Sequence, residues 1–271
     1  MTSTTGRPPA DAAILDRVDH AEPSVFLPEN LLREARRQRG LAKGRVPATC
    51  LLDPDGDIVR HLVREGRAAR SPTWACYHTD LWETEAGSSR WGIVGCAVGA
   101  PFAVLVAEQL FASGCELLVS VTSAGQIAPA LIPPCFILID RALAGDGTSR
   151  CYLPPAAWVE ADPVVVRAVS RGLALAGIAP VRGSTWTTDA PYRETQTALD
   201  AAAAVGVLAV EMEAAALYAF ARARRRAVVC FAHLTNRMAQ ARGDFEKGPA
   251  NGAEEALAVV DAATRGWFTA R

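Results

Sequence analysis

Residues 207–221, VLAVEMEAAALYAFA, decide how this chain is read. Four apolar residues of β character, 207–210, run straight into two carboxylates, Glu211 and Glu213, and then into an alanine-rich helical stretch. A short continuous apolar strand that passes directly into an apolar helix is the signature of a sheet covered on both faces. No cation lies beside the two acids in sequence. Residues two apart do not share a helical face, so the pair is expected to meet different surroundings, with only one acid needed by a ligand. Taken alone, both also fit the acidic start of a helix, where the macrodipole favours negative charge.

The same alternation extends outward. ATCLLD, WGIVGCAV, CELLVSV, PCFILIDRAL, VRGSTWTTD and AVVCFAHLTN predict strands. PENLLREARRQRGLAKGR, APFAVLVAEQLFASG, PVVVRAVSRGLALAG, ETQTALDAAAAVG and GAEEALAVVDAATRGWF predict helices. The pattern implies one α/β domain over residues 24–271, with a mainly parallel, twisted mixed sheet flanked by helices. Residues 1–23, polar and proline-containing, are expected to form a flexible tail. At 271 residues, half of them apolar, the chain can bury one large core. Its net charge of −1 gives no field for nucleic acid or an anionic membrane, and no apolar run is long enough to span a bilayer. The N-terminus lacks the apolar core of a signal peptide. Seven cysteines without a C-x-x-C pair read as reduced thiols of a cytoplasmic protein, with no metal. The basic stretch 29–45 reads as a solvated or oligomer-facing surface.

Ligands of open α/β sheets lie beyond the carboxyl ends of the strands. Those ends here carry Asp55, Gly56, Asp57 and Arg60; Thr122, Ser123, Ala124 and Gly125; Thr187, Thr188, Asp189, Tyr192 and Arg193; Glu211 and Glu213; and Thr235, Asn236 and Arg237. Five strand ends thus deliver hydroxyls, carboxylates, an amide and guanidinium groups to one rim. A carboxylate can accept two hydrogen bonds from vicinal hydroxyls, which suits a ribose. Neither a dinucleotide fingerprint nor a P-loop is present, and there is no G-x-S-x-G elbow. His233, in the last strand, reads as a core histidine, and Trp186 as a core residue.

VEMEAAALYAFA resembles the V-E-M-E-A-A segment of the nucleoside phosphorylase superfamily, and the resemblance extends over residues 47–265. It implies that Met212 and Glu213 hold the ribose, Glu213 through the 2′- and 3′-hydroxyls. GDIVR resembles the family's G-D-P-x-R phosphate loop, with Ile58 at the proline position, and implies Gly56 and Arg60 as phosphate contacts. SVTSAGQI resembles R-[VI]-G-[ST]-x-G; Ser123 then binds phosphate, and Ala124 and Gly125 line the base pocket. TTDAPYRET is similar to S-x-D-x-F-Y, with Pro191 at the aromatic position and Tyr192 beside the base. LTNRM implies Asn236 and Arg237 at the base end, where an amide suits a carbonyl-bearing purine or uracil.

What the resemblance implies is reversible phosphorolysis of a nucleoside to free base and ribose 1-phosphate. The catalytic residues are Asn236, Arg237 and Glu213. Nucleoside and inorganic phosphate are the substrates, with no cofactor, and the protein is expected to form a homo-oligomer. Ser120 stands where the family carries a phosphate arginine, and Thr122 where glycine follows. A dianion in a partly dry site needs positive charge. The loss shifts that duty to Arg67, Arg70 or a neighbouring subunit, or leaves water as nucleophile in a phosphate-independent hydrolase. A non-catalytic nucleoside binder is the remaining alternative.

Overall fold

The structure, a computed structural model, describes residues 18–86, 89–238, 240 and 242–270. Most of the expected tail, residues 1–17, lies outside the described residues. Its end touches the body, where the His20 ring hydrogen-bonds the Arg150 carbonyl at 2.9 Å.

The sheet is organised around β5 (Leu117–Gln126), the CELLVSV strand of the sequence pattern. On one side β5 pairs in parallel with β1 (Thr49–Asp53), and β1 with β4 (Ser89–Gly95). β4 continues into an antiparallel wing of β3 (Trp82–Ala86) and β2 (Ala68–Arg70). On the other side β5 pairs in parallel with β10 (Ala227–Asn236), and its last residues run antiparallel to β9 (Val207–Glu211). β10 is antiparallel to β6 (Cys135–Gly145), β6 parallel to β8 (Val181–Thr188), and β8 parallel to β9. Strands β5, β10, β6, β8 and β9 therefore close into a ring, and β7 (Trp158–Glu160) extends β6 on its outside. The result is a single α/β domain with a mixed sheet; antiparallel pairings are as numerous as parallel ones, more than the alternation of strands and helices implied.

Helices α1 (Pro28–Arg39), α2 (Asp57–Arg64), α3 (Ala100–Ala112), α4 (Ser149–Tyr152), α5 (Pro163–Leu175), α6 (Gln196–Ala204), α7 (Ala214–Arg224) and α8 (Ala253–Thr269) flank this sheet. α7 is buried along residues 214–221, so its apolar character runs all round rather than on one stripe. Helices α5 and α8 cross at Gly172 and Gly266. A Cβ on Gly172 would lie 2.6 Å from the Gly266 Cα and overlap the Ala262 carbonyl oxygen, so only glycine lets the backbones approach this closely. α1 stands apart on a small second cluster of Leu32, Ala35 and Ala75, and ends where Gly40 takes a left-handed conformation. No helix of the described residues is long and apolar enough to cross a membrane.

Candidate active site

The register around β5 builds the rim. Asn236 lies opposite Gly125, and His233 opposite Ser123. Because β9 runs back along the end of β5, with Val210 opposite Gly125, its exit at Glu211, Met212 and Glu213 returns towards residues 122–124. β1 is in register with β4 through Asp53 and Gly95, which brings the loop at residues 54–57 beside the turn at 96–99.

The two carboxylates of the opening motif are separated as their spacing demands. Glu211 is wholly occupied by the protein. It accepts from the hydroxyls of Thr185 at 3.2 Å and Thr187 at 2.5 Å, and from the amides of Glu213 and Ala214, both at 2.7 Å. Thr187 in turn accepts from the Ala215 amide at 2.9 Å. These bonds tie the β9 exit to β8 and satisfy amides at the start of α7 that have no partner within the helix. Glu213, at the N-cap of α7, is 1% exposed. Its Oε1 accepts from the Gly99 amide at 2.7 Å, while its buried Oε2 has no partner among the described residues. Burial, reinforced by the charge of Glu211, pushes the Glu213 carboxyl up to about 8. The Gly99 amide pulls it the other way. Met212, half-buried, reaches towards the same turn: its Cε lies 3.9 Å from where a Cβ of Gly99 would stand.

The anion end is built on Asp53, buried at the end of β1, which accepts from the amides of Gly56 at 3.1 Å and Val59 at 2.9 Å. Burial raises its carboxyl to about 7. Gly56 has φ 74°, and a Cβ there would lie 2.6 Å from Cys96 Sγ and 2.7 Å from Arg60 Nη1, so both its conformation and its surroundings require glycine. Arg60 donates to the Asp55 carbonyl at 2.6 Å and to Asp57 at 2.8 Å. Ser123 donates to the Asp55 carboxylate. Lys247 donates to Asp55 at 2.9 Å and to Asp57 at 2.5 Å. Gly56, Arg60 and Ser123 are thus brought together, and Lys247 joins them from 190 residues away. In sequence, RGDFEKG reads as a charged loop from which Lys247 can close over a ligand, with solvated surface as the default; nothing beside it names Asp55 and Asp57 as its partners. Arg67 and Arg70 are elsewhere, paired with Glu254 and Asp80. Ser120 is buried in mid-sheet, opposite Leu52 and Cys230, and its hydroxyl has no partner among the described residues.

At the base end, Asn236 is buried and engaged internally. Its Oδ1 accepts from the Met238 amide at 2.9 Å, and its Nδ2 donates to the Ala124 carbonyl at 3.4 Å and Thr235 Oγ1 at 3.2 Å. Arg237 is exposed beside it. Gly125 gives way to Met238, whose sulfur would be 2.6 Å from a Cβ there. Ala124 belongs to the apolar core, so it turns its carbonyl, not its side chain, to Asn236. Tyr192 stands 100% exposed in a short 3₁₀ turn, Pro191–Arg193; the structure does not bring its ring to the other site residues. His233 stacks on Phe136, ring centroids 4.5 Å apart, and Trp186 is half-buried over Gly145.

A profile described as the phosphorylase superfamily matches residues 53–265, from the buried aspartate of the anion loop to the last turns of α8. The chain belongs to that superfamily. The span of the superfamily match includes every rim residue described above and leaves α1 outside. Among solved structures, purine nucleoside phosphorylase from Toxoplasma gondii, in complex with immucillin-H, is similar with a TM-score of 0.69 and 15% identity. The similarity covers 83% of this chain and 92% of that one; at such identity it establishes the fold. No curated protein matches the chain. Superfamily membership makes this a phosphorylase-type enzyme.

Proposed function

We propose that the protein cleaves the N-glycosidic bond of a nucleoside by phosphorolysis, releasing the base and ribose 1-phosphate. The observation that carries this reading is the orphaned Oε2 of Glu213, a buried acceptor on the same rim as a loop guanidinium and a serine hydroxyl. A buried carboxyl oxygen without a hydrogen-bond partner costs free energy, and a sugar hydroxyl supplies the missing bond. Met212 packs beside the same sugar. Phosphate held by Gly56, Arg60 and Ser123 attacks C1′ as the glycosidic bond breaks, and the bonding pair leaves with the base. Positive charge develops on the ribose beside the anion, and negative charge on the base beside Arg237. Asn236 joins Arg237 by exchanging its long Nδ2 bonds for a base carbonyl, which favours a 6-oxopurine or uracil over adenine. Gly125 keeps the backbone close on that side. Phosphate is a co-substrate, no cofactor is needed, and a cytoplasmic homo-oligomer is the expected setting, in which Tyr192 stands free to meet a neighbouring site.

Ser120 in place of arginine, and the Asp55 carboxylate against Ser123, favour a second reading in which water attacks and free ribose results. Incubation with inosine, guanosine, uridine and adenosine, with and without phosphate, separates the two. Ribose 1-phosphate formed only with phosphate supports phosphorolysis, whereas free ribose in both tubes selects hydrolysis. Glu213→Ala should lower turnover per enzyme about a hundredfold or more, since it removes the group that positions the sugar. An unaltered rate in that variant removes the ribose assignment.

A further inference from the structure

We infer that the Asp55 carboxylate is an internal ligand of the anion position, and that phosphate binds by exchanging with it for Ser123 and for Lys247, the cation that Ser120 does not supply. The inference rests on the phosphorolysis reading. Each donor at this position is already engaged by the loop at residues 54–57. Ser123 and Lys247 both donate to the same oxygen, Asp55 Oδ2, and Arg60 is held by Asp57 and the Asp55 carbonyl. An incoming anion therefore meets a carboxylate where it would sit.

The exchange is physically open. The Asp55 side chain is 32% exposed, so it can turn to water without leaving a charge buried. Asp57, at 12%, stays with Arg60. Lys247, at 16%, remains aimed at the vacated position with its ammonium group drawn in by two carboxylates. One anion replaces another, so Ser123 keeps an acceptor and Lys247 keeps a counter-charge. With Arg60, the position then offers two cations to a dianion, the number that a site with arginine at position 120 would hold. Arg67 and Arg70 face other partners, Glu254 and Asp80.

An internal ligand lowers apparent affinity by the fraction of time the site is closed, so a contact made about nine-tenths of the time costs about tenfold. The test is calorimetric titration of the whole chain with inorganic phosphate, in the absence of nucleoside. Asp55→Asn and Asp55→Ser should each bind phosphate at least tenfold more tightly than wild type; the serine variant guards against the amide re-forming the bond to Ser123. Lys247→Met should bind at least tenfold more weakly. Equal or weaker binding by both Asp55 variants, no binding by any variant, or unaltered binding by Lys247→Met would overturn the inference. A failure to form ribose 1-phosphate in the nucleoside assay sinks the phosphorolysis reading instead, and the titration is read without it.

Discussion

Glu211 and Glu213 are two residues apart and chemically identical, yet the protein assigns them different work through what each one meets. Glu211 accepts four hydrogen bonds from the protein; Glu213 accepts one and keeps an oxygen in reserve. With its carboxyl raised to about 8 by burial, Glu213 holds its proton near neutrality until a ligand arrives. Ribose hydroxyls donate more strongly to the charged form than to the neutral acid and so pull that value down. Nucleoside binding near pH 7 is therefore expected to release up to one proton, measured by calorimetry in buffers of differing ionisation enthalpy. Proton uptake, or a release that persists in Glu213→Gln, would contradict the assignment. That Glu213, Arg60 and Ser123 reach one rim was legible, because each sits in a short motif that follows an apolar strand. The clasp of Lys247 on Asp55 was not: it spans 192 residues and depends on how two loops fold back. Asp53 was read only as a strand end, although it pins the anion loop through two amides.

At the scale of elements, the long apolar strands and helices were readable from periodicity, and α7 starts where the acids end. What escaped was short or polar. α2 spans eight residues, Asp57–Arg64, and its first turn lies inside the stretch read as a loop motif. β3, WETEA, alternates without an apolar face rich enough to announce a strand, and β2 and β7 are three residues each. The crossing of α5 and α8 rests on the meeting of Gly172 with Gly266, where no side chain fits. Gly172→Ala should force these helices apart and cost about 2 kcal/mol, an overpacking penalty. For a chain of this size that lowers Tm by about 4–8 °C, read by thermal denaturation. An unmoved Tm would show that the helices slide apart at no cost.

At the scale of the whole molecule, buried acids set an unusual response to pH. Burial raises Asp53 to about 7 and Glu213 to about 8, and it raises Glu211 as well. Unfolded, these groups ionise near their ordinary values of 3.8 and 4.5. Between about pH 4.5 and 8 the folded chain thus binds more protons than the unfolded one, and stability falls as pH rises through that window. Unfolding free energies from urea titrations at about pH 5 and pH 8.5 should differ by on the order of a few kcal/mol, the lower pH being the more stable. The opposite order would mean that these carboxylates are charged in the native state. The ring of strands, unlike the α/β class, was not legible: which partner a strand takes at its second edge is decided by packing, not by its own residues.

That ring has a bearing on how the chain is made. Until β10 has left the ribosome, β5 and β6 each lack a hydrogen-bonding partner that only residues 227–236 can provide. Lys247 emerges later still, so a nascent chain carries its anion loop for most of synthesis before the residue that clasps it exists.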